Sequence, residues 1–225
     1  MTFSLILRDP DTGEFGSIIS SSSPAVAARC VNLADGIGGA HSQNVTDPRL
    51  GPKLLDELRA GRTAQQAVDA VVADADPATI DYRQLLVLDN AGRAAVFSGD
   101  RALGNFGDAL RENAVAGGNM LASLDVLDAL VDTALSATGR IEERLYAAFR
   151  AAVSAGGEEG PVHSAGLSVV GSAGWRITDL RVDWSDAPIG DLGRALDVWL
   201  PQRDDYVSRG LDPSAAPSYG VPGDE

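Results

Sequence analysis

Thr2 is the residue of this chain whose type and position allow the most specific chemistry. It lies between Met1 and an apolar run, Phe3-Ser4-Leu5-Ile6-Leu7, which predicts a buried strand. Initiator methionine is commonly removed when the second side chain is as small as that of threonine, so Thr2 would become the amino terminus. A terminal threonine combines a hydroxyl that attacks a carbonyl with an α-amine that takes the proton. The alternative is that Met1 and Thr2 simply begin an edge strand.

A predicted hairpin places serines opposite Thr2. The turn Asp9-Pro10-Asp11-Thr12-Gly13 separates two runs of strand character. Antiparallel pairing about this turn gives opposite residues an index sum of about 23 to 25, which places Ser21, Ser22 or Ser23 across from Thr2. Their hydroxyls would orient the α-amine or an oxyanion during a reaction. Equally, a serine run before a proline simply ends a strand.

Further polar residues lie in segments that otherwise look buried. Asn119 follows Gly117-Gly118 and precedes a predicted helix, where bare backbone N–H groups and an amide would hold an oxyanion. We therefore predict Thr2, Ser21, Ser22 and Asn119 as catalytic. Each polar candidate taken singly is also compatible with a cap or a turn. The substrate-binding residues predicted from these segments are Gln43, Asn44, Arg83, His163 and Ser164.

Several other kinds of site fit the sequence poorly. A net charge of −14, with no Lys/Arg-rich stretch, argues against a nucleic-acid partner. His41 and His163 have no acidic partner at ligand spacing, so we predict neither a metal site nor a cofactor. The glycines from Gly36 to Gly39 have neither the Lys-Ser/Thr of a P-loop nor a Rossmann spacing.

Cysteine usage and hydropathy bear on the compartment. The single cysteine, Cys30, fits a reducing environment. No signal peptide is visible, and no segment approaches the roughly 20 apolar residues that cross a bilayer. We expect a cytoplasmic protein with no membrane partner.

The order of predicted elements indicates the architecture. Strand pairs alternate with helix pairs, which favours two antiparallel sheets covered by helices: an α+β fold arranged as a four-layer αββα sandwich. A capping box, Thr63-x-x-Gln66, begins one of the helices. Strand hairpins are predicted at 84–97 and 165–184, and apolar residues at helical spacing predict helices near 54–58, 67–72, 124–135, 141–153 and 189–200.

The chain has no evident linker, so we predict one domain over residues 1–203 and an extended C-terminal tail over 204–225. Low hydrophobicity alone would suggest that this tail is a frayed end. Its Pro213, Pro217, Tyr219 and Pro222 would instead allow it to pack as a strap on a neighbouring subunit. The second interpretation predicts a homo-oligomer.

Segments spread along nearly the whole chain resemble one known family. They are Met1-Thr2-Phe3-Ser4, Ser42-Gln43-Asn44-Val45-Thr46-Asp47-Pro48, Gly51-Pro52, Tyr82-Arg83-Gln84-Leu85, Gly118-Asn119-Met120-Leu121, Gly156-Gly157-Glu158, His163-Ser164-Ala165, Asp179-Leu180-Arg181-Val182-Asp183 and the stretch from Asp212 to Asp224. In these the chain resembles the bacterial "domain of unknown function 1028" family, which is grouped structurally with the N-terminal nucleophile (Ntn) hydrolases.

The resemblance implies an αββα sandwich and a threonine nucleophile at Thr2, but no settled substrate. Many relatives have a basic residue where Ser22 aligns, so Lys53, Arg29 or Arg83 would have to supply a cation; we count Lys53 among the substrate-binding candidates. The implied function is an amidohydrolase acting on a small amide or cyclic amide once Met1 is removed. The alternative is a non-catalytic binding or assembly module with the same fold.

Overall fold

The computed structural model describes residues 1–221, in which ten strands form two antiparallel sheets. The strands are β1 (Thr2–Arg8), β2 (Phe15–Ser21), β3 (Val31–Ala34), β4 (Gly38–Asn44), β5 (Arg83–Asp89), β6 (Ala94–Ser98), β7 (Gly107–Arg111), β8 (Ala114–Asn119), β9 (Ser164–Val170) and β10 (Arg176–Val182). The helices are α1 (Val26–Cys30), α2 (Leu50–Arg59), α3 (Ala64–Asp74), α4 (Asp125–Ser136), α5 (Ile141–Ser154), α6 (Pro188–Trp199) and α7 (Arg203–Leu211). The fold class is therefore α+β.

The first strand lies inside the larger sheet. The order of the six-stranded sheet is β10-β9-β2-β1-β8-β7, and that of the four-stranded sheet is β3-β4-β5-β6. In the β1–β2 hairpin Thr2 pairs with Ser21, which is one of the pairings that the sequence predicts. On its other side β1 pairs with β8, so the strand has no free edge.

Alternation along β1 divides its side chains between two apolar clusters. Phe3, Leu5 and Leu7 pack with residues of α4, α5 and α6. Ile6 points the other way and packs with Leu86 of β5 in the four-stranded sheet. The opposite face of β5 packs against α2 and α3. Burying each large aliphatic side chain contributes about 1.5–3 kcal/mol, so these contacts hold the helices against the sheets.

A row of buried polar side chains crosses the apolar space between the sheets. The His41 ring on β4 contacts Ser17 Oγ through Nε2 at 2.7 Å and Ser4 Oγ through Nδ1 at 2.9 Å. The Ser4 hydroxyl donates to Gln43 Oε1 at 2.7 Å. Because that hydroxyl has one hydrogen, Nδ1–H of His41 must donate to Ser4, and Nε2 accepts from Ser17. Burial lowers the pKa of His41 to about 3, which keeps the imidazole neutral.

The segment before α4 differs from its prediction. Gly117-Gly118-Asn119 belongs to β8, and α4 begins only at Asp125, so the predicted anion site at a helix amino terminus is wrong. A Cβ at Gly117 would lie 2.9 Å from Leu86 Cδ1 of the facing sheet. A side chain at residue 117 would therefore force Leu86 to shift, which favours glycine here although glycine is generally unfavourable in strands.

The predicted boundary at residue 203 also needs correction, because the tail begins as helix α7 and not as an extended segment. Arg203 opens this helix with a buried side chain that donates from Nε to Glu142 Oε1 at 2.7 Å and also pairs with Glu14. Further on, the Arg209 guanidinium lies 4.0 Å from the centre of the Tyr219 ring. Tyr219, a residue of the predicted strap, therefore contacts its own chain. Pro222 lies outside the described residues.

Replacing Arg203 by Met should destabilise the whole domain. The substitution leaves the Glu142 carboxylate, which is 0% exposed, without a cation. Losing one partner of such a buried pair costs about 3–5 kcal/mol. Chemical denaturation of Arg203→Met should show this loss, whereas the control Arg194→Met, which breaks an exposed pair with Asp191, should cost less than about 1 kcal/mol. Equal losses in the two variants would refute a structural role for the α7 contact.

His41 should make the stability of the fold depend on pH. Its pKa is about 3 in the folded chain and about 6.5 when unfolded, so the unfolded state takes up the proton first on acidification. Between pH 7 and pH 5 this residue should cost the wild type about 2 kcal/mol. Unfolding curves of wild type and His41→Gln measured at both pH values should therefore converge as the pH falls. A constant difference in free energy of unfolding would contradict the assignment of a neutral, buried ring.

Candidate functional site

The strand register turns the Thr2 side chain toward the space between the sheets. Thr2 shares its face of β1 with Ser4 and Ile6, and it pairs with Ser21 on β2 and with Asn119 on β8. Three of the four predicted catalytic residues are thereby neighbours. Thr2 is 5% exposed, and Met1 is partly buried.

The hydroxyl groups of Thr2 and Ser21 converge on one carbonyl. Thr2 Oγ1 donates to the Met1 carbonyl oxygen at 2.6 Å, and Ser21 Oγ donates to the same oxygen at 2.6 Å. The two hydroxyl oxygens are 3.3 Å apart. The backbone N–H of Ser23 donates to Ser21 Oγ at 3.1 Å and fixes that side chain. The strand end thus holds an acyl carbonyl beside the proposed nucleophile with a second hydroxyl as hydrogen-bond donor.

Buried amides connect this pair to the polar row between the sheets. Gln43 Nε2 donates to Gln84 Oε1 at 2.9 Å, and Asn119 Nδ2 approaches the same oxygen at 3.4 Å. Gln84 in turn donates to Ser98 Oγ at 3.1 Å. Gln43 therefore positions Gln84 and Ser4, with no direct hydrogen bond to Thr2. Asn119 Oδ1 is buried and has no hydrogen-bond partner in residues 1–221, so it can still accept one.

Glu158 is a member of this neighbourhood that the sequence interpretation missed. It is 7% exposed, and Leu121 forms an isolated β-bridge with it. Burial raises its pKa to about 7, while the positive charge of the Met1 amino group, the Ser22 N–H and the Ser20 hydroxyl each lower that pKa and so limit the rise. Neither carboxylate oxygen of Glu158 makes a hydrogen bond of ordinary geometry within residues 1–221. The Met1 amino group, the Ser22 N–H and the Ser20 hydroxyl therefore influence the Glu158 pKa without a hydrogen bond of that geometry. The segment Gly156-Gly157-Glu158 is one of those that resemble the family, but its loop-like composition gives no indication that the Glu158 side chain is buried.

Unpartnered polar atoms are concentrated at this end of the larger sheet. In the described chain, Ser20 Oγ, Asn119 Oδ1 and both carboxylate oxygens of Glu158 are buried without a hydrogen bond. Leaving such a group unsatisfied costs about 1–3 kcal/mol. Native proteins keep few such groups, and an ordered water, a bound molecule or a catalytic role are among the reasons for which one is kept.

His163 and Ser164 support the serine segment through the backbone. The His163 N–H donates to the Ser21 carbonyl at 2.9 Å, and its ring stacks on Trp184 with centroids 4.4 Å apart. Ser164 Oγ donates to the Ser23 carbonyl at 2.6 Å. Their contacts hold the end of β2, which places Ser21 beside Thr2 in the neighbouring strand.

The remaining predicted residues make contacts away from this cluster. Asn44 has a φ of 69° and donates from Nδ2 to the Tyr82 carbonyl at 2.6 Å, which is a turn-stabilising role. Arg83 donates to the Val45 carbonyl. Lys53 forms an exposed ion pair with Asp74 at 2.9 Å. Arg29, the third candidate cation, donates to the Pro24 carbonyl.

Ser22 follows β2 directly, and its backbone N–H lies toward Glu158. The ionisable side chain near Ser22 is therefore the carboxyl group of Glu158, whereas the family resemblance leads one to expect a basic side chain there.

Two further properties concern ligands and surroundings. Within residues 1–221, no group of three or more His, Cys, Asp or Glu is placed to hold a metal ion. The helices of the same residues do not reach the length and apolarity needed to span a membrane.

Comparison with known proteins identifies relatives. The crystal structure of a Silicibacter pomeroyi protein, itself assigned to DUF1028, matches with a TM-score of 0.84 and 29% identity over 92% of this chain and 90% of that chain. Anbu, an ancestral β-subunit from Yersinia bercovieri, gives a TM-score of 0.38 and 11% identity over 89% and 97% of the two chains. No curated protein matches the chain. The model of the family of unknown function DUF1028 matches residues 2–192, and the chain belongs to that family.

Proposed function

We propose that this protein is an amide hydrolase of the N-terminal nucleophile type, with Thr2 as the nucleophile after removal of Met1. The observation that carries the proposal is the pair of hydrogen bonds, both 2.6 Å, from the Thr2 and Ser21 hydroxyls to one acyl carbonyl. We also propose that the two sheets and their covering helices form the αββα sandwich of that class. The two helix-facing clusters and the intersheet cluster support this arrangement.

The proposed reaction uses the freed α-amine of Thr2 as the base. The amine takes the proton of the Thr2 hydroxyl while Oγ1 attacks the carbonyl carbon of the amide. The oxyanion that develops accepts a hydrogen bond from Ser21, as the Met1 carbonyl does in the structure. The α-ammonium then gives its proton to the leaving amine, and the C–N bond breaks to leave an ester on Thr2. Water, deprotonated by the same amine, attacks this ester; the C–O bond to Thr2 breaks, the α-ammonium returns the proton to Oγ1, and the acid is released.

The remaining partners have supporting roles in this proposal. Asn119 keeps a buried acceptor, Oδ1, beside Thr2 for a donor of the substrate or of the α-ammonium. The row from His41 through Ser4, Gln43 and Gln84 holds that amide in place without touching the substrate. A small amide or cyclic amide remains the substrate that we propose, and a cytoplasmic location and a homo-oligomer remain predictions.

A binding or assembly module is the second candidate, and one observation favours it. In the chain that retains Met1, the Thr2 nitrogen is an amide and the residue is only 5% exposed. An amide nitrogen cannot accept the hydroxyl proton, so a protein that keeps Met1 would have no Thr2 base. The state of the amino terminus therefore separates the two functions.

Removal of the Thr2 hydroxyl should abolish hydrolysis while sparing the fold. Full-length Thr2→Ala, Thr2→Val and Thr2→Ser would be compared with wild type on a library of amides, with intact mass showing loss of Met1 in each. Thr2→Ser should retain part of the activity because it keeps a hydroxyl, and the other two should have none. Equal hydrolysis by Thr2→Ala and wild type, or full activity of protein that quantitatively keeps Met1, would eliminate the proposed nucleophile.

Ser21→Ala should lower kcat by about 10²–10³-fold with little change in KM, since the lost hydrogen bond strengthens as the oxyanion forms. The matched control is Ser23→Ala, whose hydroxyl is not used in the proposed reaction. Steady-state kinetics on the best amide of the library gives the measurement. A Ser21→Ala enzyme within about threefold of wild type in kcat would remove Ser21 from the oxyanion site.

The predicted homo-oligomer can be tested through the tail. Deleting residues 215–225 should weaken self-association if these residues pack on a neighbour, and sedimentation velocity would show a smaller species. An unchanged sedimentation profile would leave the tail with the intrachain role that the contact of Arg209 with Tyr219 already indicates.

A further inference from the structure

Gln84 links the two sheets immediately beside Asn119. It is 0% exposed, and its Nε2 group donates to the carbonyl oxygens of Gly107 and Gly118, each at 3.2 Å. Backbone carbonyls only accept hydrogen bonds, so the nitrogen of the Gln84 amide must face them. Its oxygen, Oε1, therefore faces the other way and accepts from Gln43 Nε2 at 2.9 Å. The backbone of the larger sheet thus fixes the orientation of the Gln84 amide.

The orientation of Gln84 determines which atom of Asn119 is available to a ligand. Asn119 Nδ2 lies 3.4 Å from Gln84 Oε1, and the reversed Asn119 amide would bring two acceptors together there. Oδ1 of Asn119 is therefore turned away from Gln84, and it is buried without a hydrogen-bond partner in residues 1–221. Asn119 pairs with Thr2, so the two side chains lie on the same face of the sheet. Asn119 thus offers Thr2 an acceptor and does not offer a donor for an oxyanion.

Thr2 therefore has a donor on one flank and an acceptor on the other. Ser21 of β2 donates from Oγ to the acyl oxygen beside Thr2 at 2.6 Å, and Asn119 of β8 lies on the opposite side of β1. The backbones of β2 and β8 are about 9–10 Å apart, because neighbouring strands are separated by about 4.7–4.9 Å. An amide with a hydrogen bond of about 2.9 Å on each side fits this width when its C=O and N–H groups point in opposite directions. These groups point in opposite directions in a trans amide and to the same side in a small lactam.

The Met1–Thr2 amide already has this orientation. It is trans, since residues 1–221 contain no cis peptide bond, and its oxygen is turned toward β2. At the other end of β1, the Arg8 N–H donates to the Asn113 carbonyl of the β8 hairpin at 2.8 Å. Such bonds recur at every second residue of an antiparallel ladder, and the unbroken register carries them to Thr2 and Asn119. The N–H of this amide is therefore directed toward β8.

We propose that the site selects open-chain amides that have an N–H on the scissile nitrogen, in the trans form, over lactams and N-alkylated amides. Ser21 donates to the carbonyl oxygen of the substrate, and Asn119 Oδ1 accepts from its N–H. Gln84 is a positioning residue that acts through Asn119. This inference rests on the proposed function, because it narrows the small amide or cyclic amide of that proposal to the open-chain form.

The hydrogen bond to Asn119 stays with the leaving nitrogen during the reaction. Thr2 Oγ1 bonds to the carbonyl carbon while the α-amine takes the hydroxyl proton. The C–N bond then breaks, and the α-ammonium gives its proton to the leaving nitrogen. That nitrogen keeps its own hydrogen on Asn119 Oδ1 and departs as a primary amine. A nitrogen that is gaining a proton is a stronger donor, so this contact favours the transition state over the bound substrate.

The kinetic experiment uses the full chain beginning at Thr2, with valeryl p-nitroanilide and its N-methyl analogue, each corrected for its rate with hydroxide. Wild type should prefer the N–H substrate by about 10- to 100-fold in kcat/KM, because the N-methyl substrate leaves Oδ1 unpaired. Asn119→Leu should reduce this preference to less than about threefold by slowing only the N–H substrate. An oxyanion donor at Asn119 would slow both substrates equally, and a preference that persists in Asn119→Leu would overturn the inference.

A second pair of variants tests the positioning role. Gln84→Leu should reduce the preference for the N–H substrate about as far as Asn119→Leu, since the Asn119 amide is then able to turn. The matched control is Ser98→Ala, which removes the 3.1 Å hydrogen bond from Gln84 Nε2 and leaves both carbonyl contacts of that nitrogen. This control should keep the preference. A purely structural Gln84 would lower both rates alike, and an unchanged ratio in Gln84→Leu would overturn its assignment.

Binding to the Thr2→Ala chain without Met1 tests the choice of amide in the absence of hydrolysis. Titrations followed by NMR should show N-ethylacetamide binding at least about fivefold more tightly than 2-pyrrolidinone, a lactam of similar size. Equal binding of the two would overturn the inference while leaving a Thr2-dependent hydrolase in place. Selective binding of N-ethylacetamide with no hydrolysis of any amide would sustain the amide subsite and refute the hydrolase.

Discussion

The hydrogen-bonded row Ser17–His41–Ser4–Gln43 is the constraint on which the arrangement of the two sheets depends. Its members are buried, so each needs its partner, and an unpaired one would cost about 1–3 kcal/mol. A slip of β1 by one residue would turn Ser4 toward the helices and an apolar residue toward His41. The row therefore fixes the register of β1, and the same register sets Thr2 between Ser21 and Asn119.

Buried polar groups are fully hydrogen-bonded in one part of the interior and not in another. The row is fully paired at His41 and Ser4, whereas Asn119 and Glu158, near the start of β1, have open acceptors. The fully hydrogen-bonded row thus lies next to a small region in which buried polar atoms have no hydrogen-bond partner among residues 1–221. Proteins depart from that rule mainly where they bind or react, which agrees with a site at the beginning of β1.

Local sequence signals predicted part of this arrangement. The turn after Arg8 gave the β1–β2 register, and the Thr63–Gln66 capping box begins α3 as expected. The prediction of Asn119 as an oxyanion donor assumes the start of a helix, because a pair of glycines is typical of a loop and the sequence does not show that they belong to strand β8.

Glu158 could not be predicted, since its burial follows from a long-range bridge to Leu121 and from positive φ at the two preceding glycines. Lys53 and Arg83 contact Asp74 and Val45, away from Thr2, because the charge of a side chain does not determine which distant residues it meets in the fold. The sequence does not predict helix α7, because Arg203 at its start is held by Glu142 and Glu14, which are distant in the chain.

The central position of β1 has a consequence for the timing of biosynthesis. Its partner β8 leaves the ribosome roughly 110 residues later, which at typical elongation rates is on the order of 10 s. During that interval the edge of β1 that later pairs with β8 is open, and Thr2 is more accessible than in the folded protein, where it is 5% exposed. The first strand of the larger sheet is therefore among the last parts of that sheet to be enclosed on both sides.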